Sequence, residues 1–121
     1  AATDVSYGEW MESMLRAIQQ MGELGVELRG MVHPAVLAQA FASAGFLLYP
    51  TAYPETSCIT LMQAQVAGAI PITSRFEGSA LPETAGDFDL GPAPIPYNAS
   101  SGHGHVSKEW MLDWATRVCA V

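Results

Sequence analysis

Three observations predict a parallel α/β fold. Short apolar segments alternate with segments of helical periodicity along the chain. The stretch from Tyr49 to Ile72 reads as strand end, polar loop, helix, tight turn and strand. Half of the 121 residues are hydrophobic, enough to bury the core of one small domain. Strands that alternate with helices join in parallel through right-handed crossovers.

Taken in order, Trp10, Met14, Leu15, Ile18 and Met21 recur at helical spacing over residues 8–22, and Gly22 and Gly25 end that helix. Residues 26–29 are a short strand candidate. A second helix opens at His33-Pro34, because proline suits the first helical position, where no N–H is needed. Val36, Leu37, Ala40 and Phe41 form its apolar stripe, and Gly45 closes it. Residues 46–49 are a continuous apolar run, as expected of a strand covered on both faces. After a loop over 50–56, residues 57–67 read as a helix whose Ala64 and Ala67 permit close packing on a sheet, with Gly68 as its C-cap. The next strand spans 69–73. Pro71 places itself at the start of that strand or on an edge, since it cannot donate to a ladder. A loop over 74–79 leads to a helical turn from Leu81. Residues 86–105, rich in Pro, Gly, Asn and Ser, read as a loop of about twenty residues, long for a compact domain. Residues 106–120 are helical, with Trp110, Trp114 and Val118 on one face. No internal repeat is present. Three strands are read where a Rossmann-like nucleotide domain has about six. The prediction is therefore a Rossmann-like parallel sheet with flanking helices, one partial domain over 1–121 equivalent to the second half of such a domain.

Charged residues are 14% of the chain, low for a whole domain, which fits a surface partly covered by more protein. The net charge of -7, with five scattered Lys and Arg, argues against nucleic acid and against an anionic membrane surface. A phosphate ligand stays compatible, because helix N-termini and loop amides bind anions without net positive charge. Cys58 and Cys119 show neither a disulfide framework nor metal-ligand spacing. Two free thiols in a reducing compartment are expected, which favours the cytoplasm. No apolar run has the length of a transmembrane segment. The chain begins at Ala1 rather than Met, with no recognisable signal peptide, and is read as a fragment, with a removed leader as the alternative.

In an open α/β sheet, ligands bind beyond the C-terminal ends of the strands, beside helix N-termini. Glu55 lies on such a loop and is the first candidate; its alternative role is to complement the helix dipole. Thr56, Ser57, Cys58 and Ile59 supply amides at the expected helix start, with Ser57 or Thr56 as N-cap. Gln63, two helical turns past Glu55, is expected on the same side, or else as a solvent-facing helical residue. Ser79, Ala80 and Leu81 follow the next strand and offer backbone contacts. Arg75, at a strand end, could reach a phosphate but is the weaker candidate, and Glu83 is read as a structural acid near a helix start.

These residues fall into an ordered set: Leu37-Ala38-Gln39-Ala40-Phe41-Ala42-Ser43-Ala44, Leu48-Tyr49-Pro50, Pro54-Glu55-Thr56, Gln63, Ala64-Gln65-Val66-Ala67-Gly68, Pro71-Ile72 and Glu77-Gly78-Ser79-Ala80-Leu81-Pro82-Glu83-Thr84. The set resembles the C-terminal, donor-binding domain of GT-B glycosyltransferases of the large retaining family four, over roughly residues 24–92. The resemblance implies transfer of a sugar from a nucleotide-diphosphate sugar to an acceptor hydroxyl, on a glycan, lipid, protein or small molecule. The nucleotide sugar is a substrate, and neither a cofactor nor a metal is expected. Glu55 would contact donor-sugar hydroxyls as the catalytic candidate. Thr56, Ser57, Cys58, Ile59, Ser79 and Ala80 would line the sugar and phosphates, and Gln63 would face the ribose.

Two departures weigh on that reading. The family has a second Glu where this chain has Gln63, which keeps hydrogen bonding but loses charge assistance, on the order of 1 kcal/mol. The Arg and Lys that hold the diphosphate, and the acceptor domain, come from earlier in such enzymes, so the chain alone is expected to be inactive. The rival reading is a non-catalytic, degenerate nucleotide- or sugar-binding module.

Other features have plainer readings. Asp87-Phe88-Asp89 resembles the metal-binding acids of the other glycosyltransferase fold, but its context does not match. His103 and His105 flank Gly104 with too few partners for zinc. His33 is a surface or capping residue. Asn98-Ala99-Ser100 fits a glycosylation acceptor, which has meaning in a secreted protein. Trp110 and Trp114 are read as packing, not as a sugar platform. Missing strands would leave an open sheet edge, so the isolated chain should be marginally stable. A sharp, cooperative thermal transition from a monomer, followed by circular dichroism, would contradict this.

Overall fold

A computed structural model describes residues 6–75, 78–86 and 106–121, with the backbone of the strand pairs at 97–98 and 103–104. The chain forms two compact units, residues 1–33 and 34–121. The segments 76–77, 87–96, 99–102 and 105 lie outside the described residues, and with them Glu77, the Asp87-Phe88-Asp89 triplet, Ala99, Ser100 and His105.

In the first unit, helix α1 spans Tyr7–Gln20. Ser6 and Glu9 form a capping box: Ser6 Oγ accepts from the Glu9 amide at 3.3 Å, and Glu9 Oε2 accepts from the Ser6 amide at 3.0 Å. The helix tightens into a 3₁₀ turn, Met21–Leu24, and stops at Gly25. There φ is 90°, a left-handed conformation that glycine adopts without a Cβ penalty. The Val26 amide reaches back to the Met21 carbonyl at 3.2 Å and the Gly25 amide to Gly22 at 3.0 Å, the paired bonds of a Schellman end. The apolar stripe of α1 has the predicted spacing, yet none of its residues is buried. The expected strand at 26–29 does not form. A strand needs a neighbour to take its backbone groups, and among the described residues none pairs with this segment; Arg29 and Glu27 instead form an exposed ion pair at 2.9 Å.

The second unit runs through α2 (Pro34–Ser43), β1 (Phe46–Tyr49), α3 (Ile59–Val66), β2 (Ile70–Thr73), α4 (Leu81–Ala85), β3 (Tyr97–Asn98), β4 (His103–Gly104) and α5 (Lys108–Cys119). β1 and β2 pair in parallel, Phe46 opposite Ile70 and Tyr49 opposite Thr73. The predicted α/β character is thus present as a two-stranded parallel sheet with flanking helices. β3 and β4 form a short antiparallel pair, Tyr97 opposite Gly104, inside the segment expected to be wholly loop.

Crossover helix α3 follows its apolar spacing. Leu61 and Ala64 are buried, while Ile59 and Val66 point outward at 66% and 91% exposure. Its end is a second Schellman motif around Gly68, at φ 100°. The Gly68 amide donates to the Gln65 carbonyl and the Ala69 amide to that of Ala64, both at 2.9 Å. The turn feeds Ile70 directly into β2, where its amide donates to the Gly45 carbonyl at 2.9 Å.

The core lies between the sheet and α3 with α4. Cys58, Leu61, Leu81 and Ala85 cluster there, and Leu47 and Tyr49 pack against them. Gln65 Nε2 ties α3 to the end of α4 through the Ala85 carbonyl at 3.1 Å. The other face of β1 is exposed at Phe46 and Leu48. The expectation of a strand covered on both faces is therefore corrected for β1, where burial alternates, while in β2 the consecutive residues Pro71, Ile72 and Thr73 are all buried. α2 packs on α3 through part of its stripe, with Ala40 and Phe41 half-buried but Val36 and Leu37 exposed.

Pro71 sits inside β2 and is fully buried. Ile70 and Ser74 amides donate toward β1, so strand alternation turns the Pro71 nitrogen to the outer edge, where no donor is required. Trp114 Nε1 of α5 donates to the Thr73 carbonyl on that same edge at 3.3 Å. Trp114 is buried and stacks on Trp110 with ring centroids 6.4 Å apart. Ser107 caps α5 by accepting from the Trp110 amide at 3.1 Å. Trp114→Phe should keep the packing but lose the hydrogen bond to the Thr73 carbonyl, costing about 1 kcal/mol in urea unfolding. Ile59→Ala, on the outward face of α3, should stay within about 0.5 kcal/mol of the parent.

Candidate functional site

The loops that leave β1 and β2 are laced together at the C-terminal end of the sheet. The Tyr49 carbonyl accepts from the Thr51 amide at 3.1 Å and from the Ser74 amide at 3.3 Å. Ser74, fully buried, donates its hydroxyl to the Thr51 carbonyl. The Ala80 amide donates to the Glu55 carbonyl at 2.6 Å. A parallel βαβ unit makes this possible because both strands end on the same side of the sheet.

Glu55 is held at three atoms within this lacing. Its carbonyl takes the Ala80 amide, and its own amide donates to the Tyr53 carbonyl at 2.9 Å. Its Oε1 accepts the Tyr49 hydroxyl at 2.7 Å. Oε2 carries no hydrogen bond among the described residues. The side chain is half-buried, so the carboxylate is fixed in direction while part of it remains reachable. The predicted position, on the loop between strand and helix, is as found.

The other candidates divide. Ser79 and Ala80 are half-buried beside Glu55 in the chain trace, through the Ala80 bond. Ser79 Oγ accepts from the Leu81 amide at 3.3 Å, which gives it a structural task at the start of α4. Cys58, not Ser57 or Thr56, is the N-cap of α3, and its side chain makes no capping bond. Cys58 is buried in the core, which favours a nearby apolar thiol over a capping hydroxyl at that position. The first-turn amides of α3 therefore begin at Ile59, and Thr56 and Ser57 are exposed loop residues ahead of them. Gln63 is exposed one turn into α3, on the outward face that also carries Ile59 and Val66. Because α3 starts four residues after Glu55, Gln63 and Glu55 are not successive turns of one helix. Arg75 is half-buried just past β2, and Glu83 is an exposed acid in the first turn of α4.

Tyr49 and Ser74 were absent from the sequence-derived site. A phenol at the last strand position, six residues before a loop acid, was the available signal for Tyr49. A hydroxyl directly after β2 was the signal for Ser74.

The phenol of Tyr49 is pushed up from its ordinary 10.0 to about 12. The largest cause is the hydrogen bond it donates to Glu55, followed by burial and by the negative charge of that carboxylate, with Cys58 adding to both effects. At neutral pH the hydroxyl is protonated and donates. The exposed faces also form an apolar groove of about 660 Å³, lined by Met62, Gln65, Val66, Gly68, Ala69 and Ile70. It lies at the opposite end of the βαβ unit from Glu55, since these residues surround the turn into β2. Among the described residues no group of His, Cys, Asp and Glu side chains is arranged to hold a metal, and no helix is long and apolar enough to cross a membrane.

The Tyr49–Glu55 bond has a direct spectroscopic consequence. The folded chain keeps the Tyr49 proton to higher pH than the unfolded chain, so this contribution to stability is complete below pH 10.0 and is lost as pH rises toward about 12. An NMR titration should find one tyrosine titrating well above the others in the parent, and Glu55→Gln should bring it back toward its ordinary value.

Family models, curated proteins and solved structures were each compared with the chain, and none matches.

Proposed function

We propose that this chain supplies part of the donor site of a retaining GT-B glycosyltransferase, binding the sugar of a nucleotide-diphosphate sugar at Glu55. The observation that carries this reading is the fixed Glu55 carboxylate at the C-terminal end of a parallel strand pair, where open α/β folds bind ligands. The ordered motif likeness over residues 24–92 supports it from the sequence side.

In this reading Glu55 accepts hydrogen bonds from donor-sugar hydroxyls and orients the reactive carbon. Fixing a reactant in this way removes orientational freedom before the chemical step. The bond from sugar to diphosphate breaks, the acceptor hydroxyl oxygen takes its place with retained configuration and gives up its proton to the departing diphosphate, and that diphosphate needs cationic or amide donors around it. The amides at the start of α3, from Ile59 onward, and those near Ser79 and Ala80 are candidates for that task. Diphosphate-binding cations and an acceptor site are assigned to other parts of the parent enzyme. Gln63, exposed on α3, would meet the ribose without charge assistance.

A degenerate, non-catalytic binding module is the second reading, and Gln63 is the observation that favours it. Titration of the folded chain with UDP-, GDP- and ADP-glucose, followed by calorimetry and NMR, tests both. One nucleotide should bind, Glu55→Ala should weaken it by roughly tenfold or more, and Gln63→Glu should tighten it by about fivefold, the gain expected of one charge-assisted bond. Donor binding with no hydrolysis or transfer in the full parent protein would favour the module. No binding of any donor to the folded chain would overturn the donor-site reading.

A further inference from the structure

Ser74 reaches Glu55 through alternate residues of the loop after β1. Its side chain is fully buried, directly after β2. A buried hydroxyl needs a partner, and this one donates to the Thr51 carbonyl across the sheet end. Thr51 Oγ1 in turn accepts from the Tyr53 amide at 3.1 Å. The Tyr53 carbonyl then accepts from the Glu55 amide at 2.9 Å. Thr51, Tyr53 and Glu55 are thus linked in succession, and the line starts at a side chain that solvent does not reach. The Ser74 amide, 3.3 Å from the Tyr49 carbonyl, ties the same residue to the end of β1.

The backbone of Glu55 is therefore located from two sides. Ser74 holds its entry side through Thr51 and Tyr53, and the Ala80 amide holds its carbonyl at 2.6 Å. Both anchors belong to the chain that follows β2. The Tyr49 hydroxyl meets Glu55 Oε1 at 2.7 Å, and a bond of that length survives only small displacements of the backbone that bears the carboxylate. We infer that Ser74 is a positioning residue of the candidate site: it meets no ligand, and through Thr51 and Tyr53 it sets where the Glu55 backbone sits and so where the carboxylate points. Thr51 carries the same role forward as the middle link. This adds to the donor-site reading and rests on it for what Glu55 contacts.

The test asks whether the effect arrives through Glu55. Ser74→Ala removes the first link. Thr51→Val, at a half-buried loop position, removes the second with little change of shape and serves where Ser74→Ala folds poorly. Gln65→Met is the control: it cuts the tie from α3 to the Ala85 carbonyl and leaves the loop bonds alone. In NMR, both loop variants should bring the Tyr49 titration down from about 12 toward 10.0, because the phenol loses its hold on Glu55. The Tyr53 and Glu55 amides should exchange faster with solvent in the same two variants. In calorimetry with UDP-, GDP- and ADP-glucose, each loop variant should weaken the bound donor about fivefold, the scale of one hydrogen bond. Affinity for the matching nucleoside diphosphate should not change. The control should move none of these readings.

Folded Ser74→Ala and Thr51→Val variants that keep the high Tyr49 titration and the donor affinity of the parent would overturn the positioning role and leave the donor site standing. A control that lowers the Tyr49 titration as far as they do would also overturn it, since the loop would then be responding to general loss of stability. Failure of the folded parent to bind any of the three donors would overturn the donor-site reading and the role of Ser74 in it; a lowered Tyr49 titration in the loop variants would still distinguish that result from failure of the hydrogen-bonded line itself.

Discussion

Tyr49 is the residue on which the C-terminal end of the sheet depends. Its carbonyl accepts from the amides of Thr51 and Ser74, and its hydroxyl donates to Glu55. One residue therefore ties together the last register position of β1, the first residue after β2 and the loop acid between them. Its ring packs against the cluster of Cys58, Leu61, Leu81 and Ala85, so the position of the hydroxyl is set by the core and not by the loop. Loops are the mobile part of most folds. Here the loop conformation is referred back to buried side chains, which is how a flexible segment comes to hold a carboxylate in one direction.

Local patterns made much of this legible in advance. Helical spacing in α1, α2, α3 and α5, the apolar runs of β1 and β2, and the glycines at 25 and 68 each act within a few residues, and the structure has these elements within a residue or two of their predicted ends. The position of Glu55 was legible because its place, after a strand and before a helix, is also a local property. The failures were non-local. Residues 26–29 have strand-like composition, but a strand exists only with a partner, and sequence does not supply one. The apolar run at 46–49 suggested two covered faces, whereas coverage depends on how many helical layers surround the sheet. The Tyr49 and Ser74 contacts cross between loops, and Ser74 reaches Thr51 over 23 positions, far beyond what spacing rules describe. The N-cap of α3 was misplaced for a related reason: burial of Cys58 outweighed the local preference for a hydroxyl.

The apolar surface follows the same division. In the first unit the stripe of α1 is uncovered, with Trp10 and Met21 among its exposed residues. In the second, Phe46 and Leu48 are exposed on one sheet face and Ile59 and Val66 on the outward face of α3. Apolar surface, where it is contiguous, marks places where protein meets other protein. The low charge content noted in the sequence has its structural counterpart here: the residues that would solvate these faces are not polar.

The two edges of the parallel sheet are unequal. On the outer side of β2, Pro71 has no hydrogen to give and the Thr73 carbonyl is already taken by Trp114. On the far side of β1, among the described residues, no strand pairs with Phe46 or Leu48. Edge-to-edge polymerisation requires every copy to offer two pairing rims, one for each neighbour. A sheet with one rim blunted can be joined once and then stops. The same tryptophan that anchors α5 thus closes the outer rim of β2 and leaves β1, among the described residues, as the rim open to pairing.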